Sequence, residues 1–231
     1  MSQRTHLTVE RTPGIGEAIG HYRIVGVVGS AASVPGAINA SLGALYIAVH
    51  HGIRGVSKTV ALRVIRSELA HSPDFRALFF DASSIAPRSE HPNVVTVHEM
   101  GEADGRYFVS MEYLPGESVA AILTRCNSIA PMPPDVAATV VKQAANGVQY
   151  LHDLRAAAML PVALGPGQLN VANVFVTYHG TVKLLSVGLE PTLVVETHAA
   201  SGEHMVDSSS QAGSYAAPEY HQGVADRRTD V

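Results

Sequence analysis

The periodicity of the chain changes near Gly116, and that change limits the folds open to it. Before it, apolar residues recur in short, β-branched runs: Tyr22-Arg-Ile-Val-Gly-Val-Val28, Ala44-Leu-Tyr-Ile-Ala-Val49, Thr59-Val-Ala-Leu-Arg-Val-Ile65, Val94-Val-Thr-Val-His98 and Arg106-Tyr-Phe-Val-Ser-Met-Glu-Tyr113. Such runs are the signature of strands. One helix interrupts them: Pro73 and Asp74 open it, and Phe75, Leu78, Phe79, Ala82 and Ile85 fall on one 3.6-residue face. Beyond Gly116 the pattern is helical, with a short helix over Ser118 to Arg125 and a long one over Pro134 to His152. A small hairpin, Asn173 to Thr177 and Thr181 to Leu185, turns at His179-Gly180. Strands followed by helices predict an α+β chain of two lobes joined near Glu112 to Gly116. The first lobe, 21–114, should hold an antiparallel five-stranded sheet and one helix. The second, 115–231, should be mainly helical. Residues 1–20, with Pro13, Gly14 and Gly16, read as a flexible leader.

Charge and cysteine usage exclude several function classes. Lys+Arg number 16 against 20 Asp+Glu, for a net charge of −4, so no basic footprint for nucleic acid exists. Cys126 is the single cysteine, which rules out an internal disulfide and fits a reducing compartment. No Cys-x-x-Cys or His-Glu-x-x-His spacing occurs among the 12 scattered histidines, so no metal site is expected. The N-terminus carries charges where a signal peptide needs its apolar stretch. The uncharged stretch from Ile24 to Ile53 has the length of a membrane span, but Pro35, Asn39 and several glycines divide it into two strands and a loop. A soluble, cytoplasmic chain without a membrane segment is the expectation.

Seven blocks then carry a resemblance: His91-Pro-Asn-Val-Val95, Gly101-Glu-Ala-Asp-Gly105, Met111-Glu-Tyr-Leu-Pro-Gly116, Asn173-Val-Phe-Val, Gly180-Thr-Val-Lys-Leu-Leu185, Gly213-Ser-Tyr-Ala-Ala-Pro-Glu219 and Asp226-Arg-Arg-Thr-Asp-Val231. In this order over 22–231 they resemble the bacterial branch of the eukaryotic-like Ser/Thr protein kinases. The resemblance implies a two-lobed protein-kinase-like fold with an activation-like segment at 186–219. Asp230 would begin the central helix of the second lobe, so that lobe is expected to be incomplete. Leu45, Ala61 and Phe175 would flank an adenine pocket, with Met111 as gatekeeper and Glu112 to Leu114 as hinge. Ile85, Val97, Pro166 and Val187 take the positions of the regulatory spine.

The parts that carry chemistry in such a family depart from the pattern. The glycine-rich loop reduces to Gly29-Ser-Ala-Ala-Ser-Val34, and 15 residues separate Gly29 from Leu45, about double the usual loop. Backbone N–H groups approach a phosphate closely only where no Cβ stands in the way, so a phosphate cradle is not expected here. The strand lysine is Arg63 in Val60-Ala-Leu-Arg63, a planar fork instead of a point charge, and its helix partner is Asp81, one methylene shorter than glutamate. The expectation is a structural Arg63–Asp81 ion pair. The catalytic aspartate falls on Gln168, an amide that accepts no proton near neutral pH, and Gly167 replaces the arginine beside it. Asn173 persists. The metal-binding aspartate falls on Ser186, a poor ligand for a hard cation.

Because phosphoryl transfer rests on positioning and charge neutralisation, losing even one electrostatic contact costs about 10²–10³ in rate. The resemblance therefore implies a pseudokinase: no catalytic residues, no metal ligands and no required cofactor. Its vestigial nucleotide positions are Gly29, Leu45, Ala61, Arg63, Met111, Glu112, Leu114, Asn173 and Phe175. Its expected role is to regulate or scaffold protein partners, an active Ser/Thr kinase among them. The alternative is a divergent kinase that binds Mg²⁺–ATP and gives Arg63 and Asn173 new roles.

Overall fold

The computed structural model describes residues 12–28, 42–52, 56–88, 90–158 and 169–185. Strands β1 (Ala18–Ile19), β2 (Tyr22–Val27), β3 (Gly43–His51), β4 (Ser57–Ile65), β5 (Val97–Ala103) and β6 (Arg106–Glu112) form one antiparallel sheet in the order β1-β2-β3-β4-β6-β5. The expected five-stranded sheet thus gains a sixth strand, β1, from the stretch read as leader. Ile19 is only 1% exposed and packs with Tyr22 and Ile24, so the leader reading fails at its last residues.

Alternation sorts the strands onto two apolar layers. Tyr22, Ile24, Tyr46, Ala48, Val60, Leu62, Val64 and Phe108 pack on one face. Ile65, Val97, Val109 and Met111 pack on the other, beneath α1 (Ser67–Ala70) and α2 (Pro73–Ile85). Both faces of β4 are covered over Val60–Ile65, and there its sequence is apolar apart from Arg63, whereas Ser57, Lys58 and Thr59 are exposed. Helix α2 starts where Ser72 Oγ accepts the Phe75 N–H, with Pro73 in its first turn, and buries Phe75, Phe79 and Ala82. The β5–β6 hairpin turns on Asp104 (φ 53°) and Gly105 (φ 75°), both left-handed as a tight two-residue hairpin requires.

The second unit packs α3 (Val119–Ile129) and α4 (Pro134–Ala158) on a three-stranded sheet, β7 (Gly116–Ser118), β8 (Val174–Thr177) and β9 (Val182–Leu184), in that order. Ala144, Val148 and Leu151 of α4 form an i, i+4, i+7 stripe against Val174, Val182 and Leu184. Strand β7 was not expected; it lies where the hinge leaves the first lobe.

The run Val94 to His98, read as one strand, is divided. Val94 pairs in parallel with Leu184 and belongs to the core of the second unit, whereas Val97 starts β5. The 21–114 boundary is therefore crossed at residues 93–95. Val95 N–H donates to Leu184 O at 2.9 Å, and Leu184 N–H to Asn93 O at 2.9 Å. Asn93 Nδ2 donates to Val182 O at 2.8 Å and to Gln143 Oε1 at 3.2 Å. Gly147 sits in mid-α4 because a Cβ there would lie 2.6 Å from Asn93 O.

Candidate functional site

Strand register brings four of the expected cleft residues onto one face. Leu45 pairs with Arg63, and Arg63 with Val109; Ile47 pairs with Ala61, Ala61 with Met111, and Met111 with Val97. Directly paired residues share a face, as do residues two apart, so Leu45, Ala61, Arg63 and Met111 lie together. Met111 is 5% exposed within the apolar layer under α2, and Ala61 and Leu114 pack against that layer. Val28 extends the same face: its N–H donates to Leu45 O, and at 45% exposure it is an apolar residue on the open side. Reading the sequence did not single out Val28, although it directly precedes Gly29.

The floor comes from β8. Phe175 pairs with Ser118 on one side and Lys183 on the other. A Cβ on Gly116 would stand 2.9 Å from Phe175 Cε1 and 2.2 Å from Val176 O, so the end of the hinge lies directly on this strand. Asn173 is buried, its N–H held by Asn170 O and Oδ1 and its carbonyl accepting the Leu185 N–H. Asn170 Oδ1 also takes the Ala172 N–H, a turn that sets the entry to β8.

Arg63 is buried at 3% exposure, whereas Asp81 is exposed on α2, and no ion pair joins them among the described residues. The expected Arg63–Asp81 pair is therefore corrected. At 100° per residue, Asp81 lies ~200° round α2 from the inward-facing Phe79, on the solvent side.

The side chain of Glu112, at the start of the expected hinge, makes contacts that the sequence reading did not give it. Its Oε1 accepts Lys183 Nζ at 2.5 Å and the Thr96 N–H at 2.7 Å, and its own N–H donates to Thr96 O. Lys183 also reaches Val94 O at 3.3 Å. The side chain of the first hinge residue is thus occupied by the other lobe. Lys183 escaped the sequence reading because a lysine between apolar neighbours in a strand reads as solvent-facing. Two histidines flank this junction. His91 stacks on Tyr150 with ring centroids 4.7 Å apart, and its Nδ1 accepts the Asn93 N–H. Burial, and then the Lys183 charge, push its pKa down. Burial and Lys58 push His98 down too, against Glu112, and its Nε2 is buried without a partner.

Gly29, Gln168, Ser186, Pro166, Gly167, Val187 and the 186–219 segment lie outside the described residues. Among the described residues no cluster of His, Cys, Asp and Glu is arranged to hold a metal ion, and no helix is long and apolar enough to cross a membrane.

A family model described as a protein kinase domain matches residues 41–231. The chain is 31% identical over 195 residues to the tyrosine-protein kinase MasK of Myxococcus xanthus, covering 81% of this chain and 28% of that protein. It is 24% identical over 179 residues to the serine/threonine-protein kinase PrkC of Bacillus subtilis, covering 76% and 25%. It therefore spans about a quarter of the length of these relatives. Among solved structures, the kinase domain of Mycobacterium tuberculosis PknI aligns with a TM-score of 0.66 at 24% identity, over 95% of this chain and 71% of that one.

Proposed function

Because the chain belongs to the protein kinase family, in its bacterial eukaryotic-like branch, we propose that it is a catalytically inactive member whose role is to bind and regulate other proteins in phosphorylation signalling. The observation that carries this is the pair of neutral residues, Gln168 and Ser186, at the two positions where the chemistry needs a carboxylate. The Gln168 amide takes no proton from a hydroxyl nucleophile, and the Ser186 hydroxyl does not replace the charge that holds magnesium. Arg63 supports the same reading. It keeps a cation on the cleft face of β4, but as a buried fork held by its surroundings instead of a mobile ammonium. Partners of the kind this family offers, an active Ser/Thr kinase above all, would meet the domain in the cytoplasm.

A second reading, a divergent kinase that still binds nucleotide, rests on Asn173 and the apolar cleft face of Leu45, Ala61 and Val28. Thermal unfolding of the chain alone, with ATP plus EDTA and with ATP plus Mg²⁺ separates the two. A ligand at 100 times its dissociation constant adds about 2.7 kcal/mol of stability. The inactive reading expects a cooperative transition that Mg²⁺–ATP leaves in place, and no phosphate transfer to a generic protein substrate. A Mg²⁺-dependent rise together with turnover abolished by Arg63→Met overturns it.

A further inference from the structure

We propose that the face of the first lobe turned away from the cleft carries a second ligand site, a small cavity at Arg66 and Arg106 that takes a phosphate group. The cavity, about 180 Å³, lies between Thr12 ahead of β1, Tyr46 on β3, the β4–α1 junction at Arg66 to Glu68, and Arg106 at the head of β6. Side chains alternate along a strand, and Tyr46 and Val64 belong to the layer opposite Leu45, Ala61, Arg63 and Met111. The sheet itself therefore stands between this cavity and the cleft, and its ligand is not the nucleotide of the cleft.

The lining points to an anion with several oxygens. Arg66 and Arg106 set two guanidinium groups against one lining carboxylate, Glu68. The Arg66–Glu68 pair is 3.9 Å long with side chains 51% and 76% exposed, too loose and too well hydrated to hold Arg66 against a better acceptor. Tyr46 is 1% exposed, and its hydroxyl is buried with no hydrogen-bond partner among the described residues. A buried donor without an acceptor is costly, and a ligand oxygen removes that cost. Burial pushes the Tyr46 phenol up in pKa; the Arg106 charge acts against this and Glu17 with it. Glu17 is held back from the lining, with its Oε2 taking the Gly14 N–H at 2.9 Å. The hydroxyls of Thr12 and Ser67 complete a donor set drawn from four stretches of the chain. Donors from several sides suit the tetrahedral oxygens of phosphate better than the two coplanar oxygens of a carboxylate. At about 30 Å³ per water, the volume takes a phosphate and a few carbons bearing it, and not a nucleotide. Two sources share this chemistry, the inorganic ion and a phosphorylated side chain of a protein.

Thermal unfolding of the whole 231-residue chain at constant ionic strength tests the site, with inorganic phosphate, phosphoserine and acetate as probes. Wild type is compared with Arg66→Gln, Tyr46→Phe and Lys58→Gln. The expected result is a saturable rise in the unfolding temperature with at least one phosphate probe and none with acetate. Arg66→Gln should weaken the apparent affinity about tenfold and Tyr46→Phe about fivefold. Lys58→Gln, at the other end of β4, should leave it within about twofold. Without probe, Tyr46→Phe should unfold no lower than wild type, because the hydroxyl it removes has no partner. Phosphoserine binding about tenfold tighter than inorganic phosphate assigns the site to a phosphorylated side chain, and equal affinities assign it to the ion. No saturable rise with either phosphate probe, an acetate response equal to that of phosphate, or equal weakening by Arg66→Gln and Lys58→Gln each overturns the site. So does a Tyr46→Phe chain that unfolds below wild type without probe. If Arg66→Gln does not fold, Tyr46→Phe against Lys58→Gln decides. None of these variants touches the cleft, so the result stands apart from the reading of the domain as inactive.

Discussion

Replacing Gly147 by alanine sets helix propensity against the packing of the lobe junction. Gly147 lies in the interior of α4, where alanine is favoured over glycine by about 1 kcal/mol, so local reasoning predicts a more stable protein. The junction predicts the reverse. An added Cβ stands 2.6 Å from Asn93 O, 2.9 Å from Leu184 Cδ1 and 3.2 Å from Leu184 Cγ. Leu184 can rotate, but Asn93 O is backbone and accepts the Leu184 N–H at 2.9 Å. The Asn93 side chain is tied to Val182 O and to Gln143, whose Oε1 also takes the Val182 N–H at 3.0 Å. Relief of the clash moves residues 93–94 outward and lengthens several of these bonds together, each worth about 1 kcal/mol net. Overpacking of this kind costs about 1–3 kcal/mol, and the cost exceeds the propensity gain where the neighbour cannot yield. Gly147→Ala should therefore lower the unfolding free energy by about 1–2 kcal/mol. Asn146→Ala, an exposed neighbour on the same helix, should raise it by about 0.5 kcal/mol. Urea unfolding of both variants at constant m measures the difference. Gly147→Ala as stable as Asn146→Ala would refute the claim that the 93–95 segment is held rigidly against α4.

The two adjacent phenylalanines of α2 should separate sharply: Phe79→Ala, at 1% exposure, costs about 3–5 kcal/mol, whereas Phe80→Ala, at 56% exposure, costs under about 1 kcal/mol. Ser72→Ala removes the acceptor for the Phe75 N–H and should cost about 1 kcal/mol by the same urea measurement, with Ser72→Asp restoring it. The pKa values of His91 and His98 are held below the usual 6.5, so the native state binds fewer protons than the unfolded chain. Stability is then fully present above pH ~6.5 and falls as the pH drops through the depressed native values. Unfolding free energies measured at intervals from pH ~7.5 to ~5 should show this slope, and His91→Gln should make it shallower.

How much of this was legible in the sequence follows from which interactions are local. The α2 stripe, its Pro73-Asp74 start and the turn that ends on Gly105 rest on residues a few positions apart, and each is visible in the pattern, whereas the Ser72 cap was not singled out. The strands β2, β3, β4 and β6 are likewise readable, because their alternation is set by the two faces of one sheet. The misjudged stretches are those whose partners lie far along the chain. Val94 and Val97 have the spacing of one strand, but Val94 is claimed by Leu184, ninety positions on, and no local signal marks the division. Strands β1 and β7 are too short to show a period, and form because a longer neighbour, β2 or β8, offers an edge. At the site, the shared face of Leu45, Ala61, Arg63 and Met111 follows once the register is known. The use of Glu112 does not, since nothing near it in sequence names Lys183.

The cleft residues do not all carry the same weight for function. Met111, Ala61 and Val97 fill a packed layer beneath α2 and are demanded by burial whether or not a nucleotide ever enters. Their presence therefore says little about ATP. Gly116 and Gly147 are required by close backbone approach, again regardless of ligand. The positions that discriminate are those where packing has no preference for a charge and chemistry does. On the proposed reading Gln168 and Ser186 are such positions: chemistry would ask for a carboxylate at each, and the residue present is neutral. At Arg63 the charge persists in a buried place, where an aliphatic side chain of similar volume would avoid the cost of desolvation. A buried arginine is kept by its partners or by a ligand, and the thermal scan with and without Mg²⁺–ATP distinguishes the two. An Arg63 held by the protein alone leaves the transition unmoved, and one reserved for phosphate raises it.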